Sequence, residues 1–341
     1  MKPRLSLIVV LGWICCCAPL QAQQPLRLVH TLEMPEVPPG PYADHMAIDI
    51  TGKRLFTTPQ ANKAVDVLDL TTDKVLHTIT GFGNPHAILY RADRNRLFVT
   101  DGGKGELRIF DGTTYEHVGT IKLELNADGI GYDERTGYLY VSNGGDEAGK
   151  EYSLVSIVDT VREEKVGDIR VDSPTLEAMA IDQTTNRAYI NLPENNSIAV
   201  IDLAKRAVVA TWPLSLGKKN MAFALDARAH RLYVGCRDAD VRGSIVIVDT
   251  ETGKELGRLP IGGWVDSMFY DSVRKRIYAS CGVGEVHTYQ RQEDGTWRAL
   301  QPTDTAVMAK TSFYSPETNY LYVAVPHLGG TSAKVMVFAV E

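Results

Sequence analysis

Cysteine is scarce in this chain: of five in 341 residues, Cys15, Cys16 and Cys17 stand together near the N-terminus, leaving Cys236 and Cys281. Two cysteines cannot staple a chain of this size, so the fold must rest on buried apolar surface. Long apolar runs are lacking too. The stretch from Leu5 to Ala18 falls short of the roughly 18 to 20 residues that a membrane-spanning helix needs, and nothing later approaches that length. Basic clusters are missing: 36 Lys and Arg stand against 42 Asp and Glu, and no group of them could follow a phosphate backbone. Nucleic acid is therefore not an expected partner. No nucleophile motif, no His-Glu-x-x-His and no triad spacing is present, and no stretch has a helical period.

What is present begins with an export signal. Lys2 and Arg4 precede the apolar run, and Leu20-Gln21-Ala22 offers a small residue before a cut, which predicts a signal peptide over residues 1–22 and a mature domain over 23–341. The protein is thus expected in the periplasm or secreted, with no transmembrane segment. Lipidation is disfavoured because Ile, Cys and Cys, rather than small residues, precede the three adjacent cysteines. Loss of Lys2 and Arg4 would take the formal charge from −6 to about −8. A content of 44% apolar residues suffices for a large core.

A four-residue pattern recurs seven times: Arg54-Leu55-Phe56-Thr57, Arg96-Leu97-Phe98-Val99, Tyr138-Leu139-Tyr140-Val141, Arg187-Ala188-Tyr189-Ile190, Arg231-Leu232-Tyr233-Val234, Arg276-Ile277-Tyr278-Ala279 and Tyr320-Leu321-Tyr322-Val323. Counted from Leu55, the spacings are 42, 42, 49, 44, 45 and 44, the period of a four-stranded propeller blade. The aromatic and β-branched run reads as one strand and a second run, such as Val65 to Leu70, as the next. The second run ends in Asp69, Asp111, Asp159, Asp202 and Asp249, each placed to cap a hairpin turn with its own side chain. The seventh unit ends after three strands, while Val29-His30-Thr31-Leu32 matches Leu76-His77-Thr78-Ile79. The N-terminal strand is therefore expected to complete the last blade and close an all-β, seven-bladed β-propeller.

Tyr140-Val141-Ser142-Asn143-Gly144, and Tyr189-Ile190-Asn191 followed by Asn195 to Asp202, resemble the YVTN-repeat propellers of the YncE type, over essentially all of residues 26–341. The resemblance implies architecture and leaves chemistry open, because propellers host binding proteins, lactonases and lyases alike.

The loops that enter each inner strand share one face with those joining the second and third strands. Eleven residues before each repeat start stand Asp44, His86, Asp128, Glu177, Met221, Asp266 and Lys310, with His45 and Asn220 alongside. Except for Met221, these are expected to form a ligand site at the mouth of the central channel. Carboxylates converging there would repel unless a cation, a proton or Lys310 balanced them. His86, Asp128 and Glu177, in consecutive blades, are the candidate ligands for a divalent metal, Ca²⁺, Mg²⁺, Mn²⁺ or Zn²⁺. His45 or His86 as general base, with Lys310 or a metal at an oxyanion, are the catalytic candidates. Alternatively the same acids only cap turns around a water-filled channel. Four residues after each start, Pro59, Asp101, Asn143, Leu192, Cys236, Cys281 and Val325 give a less coherent set.

Cys236 and Cys281 fall at equivalent places in neighbouring blades and are read as two buried thiols, with a soft-metal pairing to His327 as the alternative. Asp238 to Gly243 imitates the start of a calcium loop, but Arg242 replaces an oxygen ligand. Gly102-Gly103-Lys104-Gly105 reads as a hairpin, and Asn143 to Tyr152 as the longest loop of the ligand face. Trp212 and Trp264 are expected to pack against the next blade. The functional expectation is a monomeric, exported binding or interaction scaffold with a small-molecule or protein ligand at the mouth. The alternative is a metal-dependent, lactonase-like hydrolase or lyase using the same residues.

Overall fold

Alternation of apolar and polar residues in short runs leaves the backbone one economical solution, hydrogen-bonded strands packed face to face. The computed structural model describes residues 24–34, 36–40 and 43–341 of the chain. It holds seven antiparallel sheets, one for each sequence repeat, and its only helices among the described residues are four single 3₁₀ turns. Blade 1 runs Met46–Asp49, Arg54–Thr57, Val65–Asp69 and Lys74–Ile79 from the axis outward, and the other blades repeat this order. The inner strands contact one another around the ring, and Met46–Asp49 meets Thr311–Ser315 to complete the circle. The architecture expected from the repeats is the one observed.

Closure comes from the N-terminal strand, Leu26–Glu33, which pairs with the C-terminal strand Lys334–Val340 as the outer strand of blade 7. The ring is tied shut by the two ends of the described chain, and the outer edge of blade 7 is covered.

The repeat motif explains the core. Its third residue is Phe56, Phe98, Tyr140, Tyr189, Tyr233, Tyr278 or Tyr322, each at most 2% exposed. Its second, from Leu55 to Leu321, is wholly buried in all seven blades. Because side chains alternate along a strand, the two positions face opposite sides of each sheet and fill successive inter-blade layers. Trp212 packs on Tyr189 and against blade 5, as expected.

The face opposite the mouth is built on aspartate turns. Asp69 Oδ1 accepts from Thr71 N and Thr72 N, and Asp111, Asp159, Asp202 and Asp249 accept from the equivalent pairs of amides. The first hairpin of several blades uses the same device through Asp49, Asp133, Asp182 and Asp271. Gly102 to Gly105 turns one strand into the next, as read from the sequence. The calcium-loop imitation lies across a strand pair, with Asp238 accepting from Lys218 N and from Arg258.

Candidate functional site: the channel mouth

The seven positions chosen from the repeat all reach one place. Asp44, His86, Asp128, Glu177, Met221, Asp266 and Lys310 line a single cavity of about 300 Å³ at the channel mouth, with His45, Gln60 and Arg237. Local backbone geometry explains the convergence. In blades 2, 3, 5 and 6 the pairing of the inner strand slips at Pro85/Ile88, Ala127/Ile130, Asn220/Ala222 and Val265/Ser267. The residues inside these bulges include His86, Asp128, Met221 and Asp266. A bulge re-aims side chains that a regular strand would direct into the blade. In blades 1, 4 and 7, Asp44, Glu177 and Lys310 lie just before the strand begins.

Second-strand polar groups hold these bulges from the neighbouring blade. Thr58 Oγ1 donates to His86 O at 2.7 Å, Thr100 Oγ1 to Asp128 O at 2.8 Å and Asn191 Nδ2 to Ala222 O at 3.4 Å. The backbone of the His86, Asp128 and Met221 bulges is thus held by the blade before it.

Two ion networks divide the mouth. In the first, His86 Nδ1 lies 2.8 Å from Asp44 Oδ2 and 3.5 Å from Asp128 Oδ1, while His45 Nε2 lies 3.4 Å from Asp44 Oδ1. Gln60 Nε2 donates to Asp44 Oδ2 at 3.0 Å, and Asn84 Nδ2 lies 2.9 Å from His86 Nε2. In the second, Lys310 Nζ donates to Asp266 Oδ2 at 2.7 Å and Arg237 pairs with Asp266 Oδ1. Arg237 is steadied by its bond to Val265 O at 2.9 Å.

Electrostatics follow from enclosure and pairing. Burial opposes charge on His86, but Asp128, the hydrogen bond to Asp44 and the Asp44 charge raise it to about 9. Burial would lift Asp44 as well, yet His45, His86 and Lys310 hold it well below the ordinary carboxylate range. Asp128 is raised, first by burial. Glu177 is pushed up to about 8 by burial and then by the charges of Asp128 and Asp266. The expected repulsion is therefore relieved internally, by His86, Lys310, Arg237 and a proton on Glu177.

Several expectations need correction. Asn220 does not reach the cavity: it is wholly buried and its Nδ2 donates to Ser197 O at 2.8 Å, because it stands one residue before the bulged Met221 and points into the blade. The metal-ligand set also changes. Donor atoms of Asp44, His86 and Asp128 lie within 4.8 Å of one another, and Glu177 stands outside that group. Cys236 and Cys281 are buried free thiols, Cys281 pushed up to about 12 chiefly by burial. His327 instead bonds through Nδ1 to Val37 O at 2.8 Å, in blade 7, so the soft-metal grouping does not form. Trp264 is 38% exposed rather than packed away, with the Arg237 guanidinium 5.4 Å from its ring centre. The long loop contributes the Glu147 charge that acts on His86, but none of its residues lines the cavity.

Gln60 and Arg237 are mouth residues that the sequence reading missed. Both stand five residues after a repeat start, one step beyond the series that holds Cys236 and Cys281. In a strand one step reverses the direction of the side chain, so Cys236 and Cys281 went into the core. The long polar side chains at that next position were the available signal.

Comparison with known proteins adds architecture. The family model of the Choice-of-anchor I domain matches residues 80–246, somewhat under half of the chain. That is a different family from the one the repeat motifs resemble, so the YVTN resemblance stands for architecture. No curated protein matches. Among solved structures, a chain of "Kuenenia stuttgartiensis Hydrazine Synthase" superposes with a TM-score of 0.74 at 18% identity, covering 88% of this chain and 97% of that one. The RRP9 WD40 repeats give 0.76 at 12% identity, with 94% and 99% covered. A chain of the mitotic checkpoint complex gives 0.74 at 14%, with 100% and 99% covered. These likenesses define a seven-bladed propeller scaffold and no chemistry. Among the described residues no helix is long and apolar enough to cross a membrane.

Proposed function

We propose that this chain is an exported binding propeller that seats a small polar ligand, or a group projecting from a partner protein, in the channel mouth. One observation carries the reading. Seven repeat-equivalent positions converge on one cavity of about 300 Å³ whose charges, Glu177 apart, are paired into two networks, a preformed polar pocket on a rigid ring. The signal-like residues 1–22 lie outside the described residues. The partial Choice-of-anchor I match supports a place at the cell surface or beyond it.

A second reading has its own observation. Asp44, His86 and Asp128 could hold a divalent cation with positions open to the cavity, as a metal-dependent hydrolase or lyase requires. Such a cation would have to displace the proton that His86 holds up to about pH 9. The pocket is charge-balanced without a metal, and the binding reading is therefore preferred.

Elemental mass spectrometry on protein purified without chelator, alongside His86→Ala, separates the two. The binding reading expects no stoichiometric divalent metal, together with a thermal midpoint raised by small polar ligands. Near-stoichiometric metal that disappears in His86→Ala would replace it with the hydrolase reading.

A further inference from the structure

Going round the mouth in blade order, charge alternates and then stops alternating. Asp44 is followed by His86, His86 by Asp128, Asp266 by Lys310, and Lys310 by Asp44 again, so that each of these carboxylates faces a cation. The exception is the arc Asp128, Glu177, Met221. There two acids are consecutive and the next position is a thioether. The Glu177 side chain makes no hydrogen bond or ion pair of its own among the described residues, although it lines the cavity. Arg237 and Lys310, the nearest cations in charge terms, are both committed to Asp266.

The cavity continues from this same arc. A second hollow of about 290 Å³ shares Glu177, Met221 and Arg237 with the mouth and runs outward past Pro193, Glu194, Lys219, Asp238 and Asp240 to Trp264. Trp264 has φ +61°, a conformation costly for a bulky side chain. Asn126, Lys219 and Met308, at the matching place in other blades, share that conformation, so the backbone there belongs to the repeat. What is particular to blade 6 is an aromatic ring, left part-exposed beside the incomplete arc.

We propose that the mouth ligand is a small organic cation: a primary ammonium seated against Glu177 and Asp128, completing the alternation, with its carbon skeleton lying along Met221 toward Trp264. An ammonium suits the arc because it takes the place of the proton on Glu177, pairs with both carboxylates and keeps its compact charge close to an aromatic wall. Met221 and Trp264 offer carbon and ring surface to an organic skeleton, and the acids of the hollow, Glu194 and Asp240 among them, favour a cation over an anion. This inference rests on the binding-propeller reading and gives it a ligand class. Alkyl diamines and amino sugars share the chemistry, and Trp264 distinguishes them, since a sugar ring can stack on indole.

Isothermal titration of the intact protein at pH 7 with cadaverine, glucosamine and N-acetylglucosamine tests it. At least one of the two amines is expected to bind, and N-acetylglucosamine, with its charge removed, to fail. Glu177→Gln, nearly isosteric, should weaken amine binding at least about tenfold, the worth of one charge-assisted contact. Met221→Lys, which supplies an internal cation, should abolish it, with a single cooperative thermal transition showing that each variant folds. Trp264→Ala should weaken glucosamine more than cadaverine if the ligand is a sugar, and both equally if it is not. Binding of N-acetylglucosamine as tight as that of glucosamine, or amine binding unaffected by Glu177→Gln, would overturn the inference. Binding of an anionic compound such as gluconate with no response to either amine would also overturn it while leaving the binding propeller standing. Stoichiometric metal would remove both.

Discussion

The turn-face aspartates and two acids of the mouth, Glu177 and Asp128, behave in opposite ways, while mouth Asp44, held low against burial by His45, His86 and Lys310, sides with the turns. On the turn face, Asp69, Asp111 and Asp202 are held below the ordinary aspartate value first by backbone amides, from Thr71, Thr114 and Lys205 respectively. Each sits in solvent and has its charge met by N–H groups of its own turn. At the mouth, Glu177 and Asp128 are raised first by burial, and their own amides do nothing for them. The residue chemistry is almost the same on both faces. What differs is whether the local backbone supplies the compensating charge or burial withholds it, and that decides whether an acid is lowered or raised.

The largest effect should come from removing a compensating charge at the mouth. His86→Ala leaves Asp44 and Asp128 facing each other in an enclosed space where His86 is only 8% exposed. Breaking a buried pair by deleting one partner costs about 3 kcal/mol, and denaturant unfolding should show a loss of that order at pH 7. His86→Ala with wild-type stability would mean that the mouth acids are solvated like those of the turn face, and the contrast would vanish.

The faces should also separate by pH. Glu177 binds its proton more tightly folded than unfolded, so its contribution is full at low pH. It declines as pH rises from the ordinary value of 4.5 to about 8. His86, raised from 6.5 to about 9, likewise stabilises below 6.5 and loses that contribution as pH climbs through 9. The turn aspartates act in reverse: their lowered values stabilise above 3.8, and the contribution fades as pH falls through the folded values. A stability profile from pH 3 to 10 should therefore fall on the acid side because of the turn aspartates together with Asp44, and on the alkaline side because of Glu177 and His86. Glu177→Gln should flatten the decline toward pH 8 and leave the acid side unchanged. An unchanged slope above pH 5 would place the Glu177 carboxyl in water.

The five outer turns of the turn face could be read from sequence, its first-hairpin aspartates Asp49, Asp133, Asp182 and Asp271 were not, and the mouth was read only in part, for a physical reason. An aspartate turn is local: Asp249, Glu251 and Thr252 lie within four residues, and spacing alone fixes the bonds. The mouth is assembled from seven blades, and the repeat gives only its register. Register sufficed to gather Asp44, His86, Asp128, Glu177, Asp266 and Lys310. It could not show that a bulge aims Met221 inward and Asn220 sideways, since one residue of slip reverses a side chain. Nor could it show that His86 lies nearer Asp44 than Glu177, because that depends on where each inner strand begins. Arg237 was missed although its position in the repeat was as plain as that of Cys236, one residue before it.

The smallest predicted effect tests whether charge matters on the turn face at all. Asp202 Oδ1 accepts from Ala204 N at 3.1 Å and Lys205 N at 2.9 Å, and Asn carries the same acceptor in the same place. Asp202→Asn should therefore keep the turn and shift the unfolding midpoint less than Asp202→Ala, which removes the acceptor and leaves both amides to water. Both shifts should be smaller than that of His86→Ala, because these amides are already at the surface. If Asn and Ala proved equally harmful, the aspartate would be acting through its charge, with Lys205 as partner at 3.1 Å. Raising the salt concentration should then erase the difference from wild type, since an exposed pair is screened. If Asn is neutral and salt has no effect, the turn face is held by geometry, and dependence on paired charge is a property of the mouth.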